Sequence, residues 1–157
     1  MKKNEPKKIF KHALAFESTA DVLKSNWDIL DSSLYISYFM NEAFSIELFF
    51  KAIINFENIN KKIPQTHDLD KLFKELSEES KKSIIEYFDS DVFDSDLNQI
   101  ESMYDLTLTK DLVSLLEHYS NIFVKVRYLY ESPLIYPILF LKQLRESVKK
   151  RCEELDF

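Results

Sequence analysis

Glycine is absent from this 157-residue chain, although average usage would place about eleven in a sequence of this length. Its absence excludes motifs that need backbone at positive φ or close approach to phosphate: the P-loop, the dinucleotide fingerprint and the Asn-Gly hairpin. Cysteine occurs once, at Cys152, so no intrachain disulfide can form and a reducing, cytoplasmic setting is expected. No apolar run reaches the ~18 residues of a membrane span. The nearest, Ala43 to Phe56, is interrupted by Ser45, Glu47, Lys51 and Asn55. A secretory leader is not expected either, because Met1 to Lys11 is lysine-rich but runs into His12 and Glu17 instead of an apolar stretch. Positive charge is in deficit: 21 Lys and Arg against 27 Asp and Glu give a formal −6, which argues against a general polyanion binder.

What is present is helix-forming and aromatic. Thirteen Phe, eight Tyr and one Trp supply large buried areas, and a chain this long removes roughly 68–70% of its extended surface from water on folding. No strand-like alternation occurs, so the class is all-α. A first helix is expected from about Lys7 to Ser25, with Phe10, Ala13, Phe16, Ala20 and Leu23 along one face. Asp31, Ser32 and Ser33 supply caps for a second helix to about Phe56, roughly 40 Å long. Its apolar sector holds Ile36, Phe39, Ala43, Ile46, Phe50 and Ile53. Pro64 disfavours helix at Ile63, Thr66 is placed to cap a short helix through Leu76, and Ser77 another through Phe88.

From Asp89 to Asp105 there are six acids and no Lys or Arg, which reads as an acidic loop with at most a short helix near Leu97 to Tyr104. Leu112, Leu115, Leu116, Tyr119, Ile122, Phe123 and Val126 mark an amphipathic helix ending near Glu131. Ser132 and Pro133 stop it, and a last helix regular from Pro137 carries Leu141, Leu144, Val148 and Leu155. The expected architecture is a single domain over 1–157, an up-and-down antiparallel bundle of four to five main helices with the acidic loop between the third and fourth.

Charge is unevenly distributed. Lys2, Lys3, Lys7, Lys8 and Lys11 make a basic start, and Lys142, Arg145, Lys149, Lys150 and Arg151 a basic late patch. Of these, Lys142, Arg145, Lys149 and Arg151 are the candidate anion or RNA contacts. The competing reading is a set of solvated helix faces. Asp94, Asp96 and Asn98 imitate the start of a calcium loop, but Gln99 stands where glycine is needed and Asp105 where a bidentate Glu belongs. His12, His67 and His118 have no zinc spacing. No metal or other cofactor is expected.

Glu47 borders the apolar sector of the second helix with Lys51 one turn on, and Arg127 borders the fourth with Glu131 one turn on. Buried charges need partners. Glu47, Lys51, His67, Asp68, Arg127 and Glu131 therefore form the candidate polar network. It is either an ion-pair seam between helices or a pocket in which Arg127 meets phosphate or carboxylate.

Taken together, Ser45-Ile-Glu-Leu-Phe-Phe-Lys-Ala52, Thr66-His-Asp-Leu-Asp-Lys-Leu-Phe73 and Phe123-Val-Lys-Val-Arg-Tyr-Leu-Tyr-Glu131 resemble the HEPN superfamily. Ala43, Glu47 and Lys51 occupy its A-x-x-x-E-x-x-x-K-like helix pattern, and the likeness spans roughly Lys7 to Glu131. The resemblance implies a helical bundle that commonly dimerises, with careers as metal-independent RNase toxins, RNA- or nucleotide-associated modules, or partners of nucleotidyltransferase antitoxins in phage defence. RNase members carry Arg followed by His after four to six residues. Here Arg127, Arg145 and Arg151 are the only arginines and all three histidines precede them, so that motif is missing. The expectation is a noncatalytic, homodimeric binding module rather than an enzyme. The alternative is an endoribonuclease with a rearranged site using Arg127 and His67 or His118.

Overall fold

The computed structural model describes residues 5–26, 34–58, 62–91, 98, 101–102, 111–120, 122, 128 and 140–156, less the side chains of Asp91 and His118. The chain is an all-α helical bundle. Its described helices are α1 (Glu5–Ser25), α2 (Leu34–Glu57), α3 (Leu69–Lys74), α4 (Glu78–Asp91), α5 (Leu112–Tyr119) and α6 (Leu141–Glu154). Among the described residues there is no strand and no helix long and apolar enough to cross a membrane.

The expected periodicity produces the central pair. Pro6 lies in the first turn of α1, where its missing N–H costs nothing, and Ala13 and Ala20 are fully buried against α2. Phe10 meets Phe49 at 5.6 Å, Phe16 stacks on Phe44 at 5.3 Å, and Lys24 lies 6.0 Å from the Tyr38 ring centre. Rising numbers on one helix meet falling numbers on the other, so α1 and α2 are antiparallel.

The last helix lies against both. Arg145 reaches Glu42 and the Cys152 thiol points at the Phe49 carbonyl, each 103 residues apart, so α6 runs parallel to α2. Lys149 reaches Glu17 and Arg145 reaches Asp21, so it runs antiparallel to α1. One cluster of buried apolar side chains draws on all six helices.

Local signals are met with adjustments. Asp68, not Thr66, caps α3: its carboxylate accepts the Lys71 N–H at 3.1 Å, while the Thr66 hydroxyl accepts the N–H of Asp68. A carboxylate at the positive end of a helix is the better cap, and Thr66 stands two residues too early. Ser77 does cap α4, accepting the Ser80 N–H at 3.2 Å. Asp111 caps α5 through the Ser114 N–H and hydroxyl.

The acidic stretch is not all loop, because Asp89 to Asp91 close α4, and Asn98, Glu101 and Ser102 have helical backbone. The rest of that stretch lies outside the described residues, as do Asp31 to Ser33, Arg127, Glu131, Pro133 and Pro137.

With no glycine to take them, left-handed positions fall on Phe140 (φ 67°) and Asp156 (φ 46°). The strain at Phe140 costs about 1–2 kcal/mol. Burial of its ring, edge-on to Phe88 at 6.4 Å, returns a similar amount.

Candidate functional site

Three of the six candidate network residues are in direct contact. Glu47, carried by α2, is almost wholly buried. Its Oε1 accepts from Lys51 Nζ at 2.6 Å, and its Oε2 lies 3.0 Å from His67 Nδ1. Lys51 is one helical turn further along α2. His67 belongs to the non-helical segment 62–68, where Pro64 interrupts helix, and it immediately precedes the Asp68 cap. The cap therefore fixes the imidazole's place in the chain and Glu47 fixes its orientation. The His67 side chain is 69% exposed while that of Glu47 is 4% exposed, so a buried carboxylate holds a surface imidazole.

Asp68 is in the neighbourhood but turned to its own helix, on Lys71 N and, at 3.2 Å, Lys71 Nζ. Arg127, Glu131 and the His118 side chain lie outside the described residues. Chemically, the Glu47 carboxylate can orient the His67 imidazole through Nδ1. Among the described residues no group of three or more His, Cys, Asp or Glu could hold a metal.

The candidate anion contacts require correction. Arg145 is 1% exposed and is engaged by the protein's own carboxylates. It donates to Asp21 at 3.1 Å, Glu42 at 3.0 Å and Glu146 at 2.7 Å, with Glu17 at 3.6 Å. Lys149 donates to Glu17 at 3.0 Å. Arg151 is buried too, donating from Nε to Ser80 Oγ at 2.8 Å and from its terminal nitrogens to Glu79 and Glu154. Lys142 alone of the four is exposed. Arg145 and Arg151 thus belong to the inner face of α6, with Lys149 half-buried at its edge, and form a seam instead of an open cationic surface.

Two networks missed by sequence reasoning organise that seam. Around Arg145, Glu42 is completely buried, and its Oε2, like Arg145 Nε, has no hydrogen-bond partner among the described residues. Burial pushes the Glu42 carboxyl above its ordinary value, with Arg145 pulling the other way. Burial, and then the Glu42 charge, also push the Tyr38 phenol up. Burial alone would lower the Arg145 guanidinium, but Glu42, Glu146 and Asp21 outweigh it and raise it.

Around Arg151, the Ser80 hydroxyl accepts from the guanidinium and donates to Glu57 Oε1 at 2.6 Å. Glu57 also accepts the Ser77 N–H and hydroxyl. This chain of bonds fastens the end of α2, the start of α4 and the end of α6. Tyr87 donates to Glu154 at its margin.

The signal was available in the spacing. Arg145 and Arg151 fall within the α6 stripe of Leu141, Leu144, Val148, Cys152 and Leu155, at three- and four-residue steps from its members. A stripe position predicts burial whatever the residue type.

A separate groove of about 460 Å³ lies between α3, α4 and α5. Phe73, Ile85 and Val113 form its apolar part, and Glu78, Lys81, Lys82 and Glu86 its margin. It contains none of the candidate residues. Compared with family models, curated proteins and solved structures, the chain matches none of them.

Proposed function

We propose that this chain is a noncatalytic, HEPN-like binding module of the cytoplasm, associated with RNA or a nucleotide. It acts as a homodimer in a phage-defence or toxin–antitoxin setting, with a nucleotidyltransferase-type protein as its partner. The observation that carries this reading is the contact of Glu47 with Lys51 and His67. These residues stand in the two most N-terminal segments on which the resemblance rests, and they join α2 to the approach of α3.

The noncatalytic half of the reading follows from chemistry. An RNase of the family's kind needs Arg and His on one helix, to polarise phosphate and move the ribose 2′-hydroxyl proton. All histidines here precede all arginines, and two of the three arginines are consumed by internal carboxylates. Purified protein incubated with labelled RNA in a chelator is expected to leave it intact while binding it saturably, and light scattering is expected to give twice the monomer mass. Metal-independent cleavage that disappears in His67→Ala overturns the reading.

One observation favours the endoribonuclease alternative. His67 is exposed and its Nδ1 is held by a buried carboxylate, the support that a general base requires. That reading requires cleavage lost in both His67→Ala and Arg127→Ala, with helical circular dichroism retained.

A further inference from the structure

We infer that the first two turns of α1 form the surface that contacts the phosphate backbone of single-stranded RNA, through Lys7, Lys8 and Lys11. The inference rests on the RNA-associated reading above and moves the contact from the end of the chain to its beginning.

The late basic residues are spent: Arg145 and Lys149 face the buried carboxylates of Glu42 and Glu17, and Arg151 is paired with Glu79 at the surface. The early ones are not. Lys7, Lys8, Lys11 and His12 are all exposed, on the side of α1 opposite the buried Pro6, Ala13, Glu17 and Ala20. Among the described residues no carboxylate lies within ion-pair distance of any of these four. The only acid in this part of α1 is the exposed Glu5. The next one, Glu17, is buried and taken by Lys149.

The arrangement opposes the helix that carries it. Lys7 and Lys11 are an i, i+4 pair of like charge, and such a pair repels across one turn. α1 opens with the acidic Glu5, and Lys7 and Lys8 follow it within the first turn, where the backbone dipole disfavours cations. A local rule broken with no compensating contact among the described residues marks a surface that is satisfied from outside, and the relieving ligand must be anionic.

The remainder of the exposed face selects the class of anion. Beyond the lysines it presents Ala15, Ser18 and Thr19, the hydroxyls of the last two donating to the Leu14 and Ala15 carbonyls. Among the described residues the first exposed large apolar side chain is Val22, so the lysine-bearing turns themselves present no apolar anchor for a bilayer. Lys7 and Lys11 are separated by about 6 Å along the axis, with Lys8 beside them, so each can meet a different phosphate of one strand. With no base-reading side chain beyond His12, contact is with the backbone and independent of sequence.

The test is fluorescence anisotropy with a labelled 20-nucleotide oligouridylate, on the full chain, at about 50 mM and 200 mM salt. The wild type is expected to bind with a log–log salt slope of about −2, from three phosphate contacts on a single strand. Lys7→Gln/Lys8→Gln/Lys11→Gln is expected to weaken binding at least about tenfold at the lower salt, with unchanged circular dichroism, while Lys142→Gln stays within about twofold. Equal binding by the triple variant overturns the α1 surface but leaves the RNA-associated reading standing. No binding by the wild type at either salt overturns both. Lysine-dependent binding to phosphatidylserine vesicles without RNA binding makes the strip a lipid-headgroup contact and overturns the inference.

Discussion

Arg145 on α6 donates to Glu42 on α2 at 3.0 Å, and the two side chains are 1% and 0% exposed. Burial on this scale removes most of the hydration of both ions. Their mutual attraction has to offset that loss, and an unpartnered oxygen on Glu42 and nitrogen on Arg145 show that it does so incompletely. Such a pair contributes more to the placing of α6 on α1 and α2 than to net stability. Sliding α6 by one residue would swing Arg145 away from Glu17, Asp21 and Glu42 together.

Removing one ion alone is therefore expected to be costly. Arg145→Met should lower unfolding free energy by about 3–5 kcal/mol in urea titration, because Glu42 is left buried without its counter-charge. The double change Arg145→Met/Glu42→Met should recover most of that loss. If the double variant is as unstable as the single one, the coupling across the seam is not what the geometry implies.

The raised Glu42 carboxyl fixes the sign of a pH effect. A folded value above the unfolded value of 4.5 means that the folded chain holds this proton more tightly. Stability contributed by the group is then complete below 4.5 and is lost as pH rises through the folded value. The stability of wild type relative to Glu42→Gln should accordingly be greater at pH 5 than at pH 7 when thermal unfolding is compared at the two values. Glu154 is shifted the other way, lowered chiefly by its bond from Tyr87, and its contribution fades on acidification.

Glu47 and Ser80 are expected to matter for stability in different degrees. Glu47→Ala deprives Lys51 and His67 of a charged acceptor and should cost about 1.5–3 kcal/mol, whereas His67→Ala, at an exposed position, should cost less than about 1 kcal/mol. Ser80→Ala removes the hydroxyl linking Arg151 to Glu57 inside the bundle and should cost about 1–3 kcal/mol. Differential scanning calorimetry of the three variants checks this ranking. A His67 effect as large as that of Glu47 would contradict it.

Burial pushes the Cys152 thiol well above its ordinary value, and Glu153 adds to the shift. The Sγ atom points at the Phe49 carbonyl, 3.6 Å away. A thiol-specific disulfide reagent at neutral pH should thus label the folded protein only as fast as the bundle opens, with the rate rising steeply in denaturant. Immediate stoichiometric labelling in buffer would contradict this burial.

Much of the secondary structure was legible in the residues. The three- and four-residue spacing of Phe10, Ala13 and Ala20 and of Ala43, Ile46 and Ile53 gives α1 and α2, and Ser77 announces the start of α4. The Glu47–Lys51 contact was legible too, since an i, i+4 pair on one helix needs no tertiary information. His67 joining it was foreseeable as a candidate but not as a distance, because a connection and twenty residues separate it from Glu47. The role of α6 was misread. A run of Lys and Arg looks like a solvated surface until position in the stripe is weighed against residue type. Arg145 and Arg151 hold stripe positions because Glu42, Glu79 and Ser80 wait opposite them.

Sequence alone determined what depends on near neighbours: helical class through periodicity, the start of α4 through its capping Ser77, and the missing Arg-x4-6-His motif through simple order. Tertiary structure decided which cations remain available. Lys7 and Arg145 carry the same charge, yet one is exposed with no carboxylate of the described residues in reach and the other is met by Glu17, Asp21 and Glu42 from other helices. A charge's availability depends on what other helices bring within a few ångströms, and those helices come from parts of the chain more than a hundred residues away.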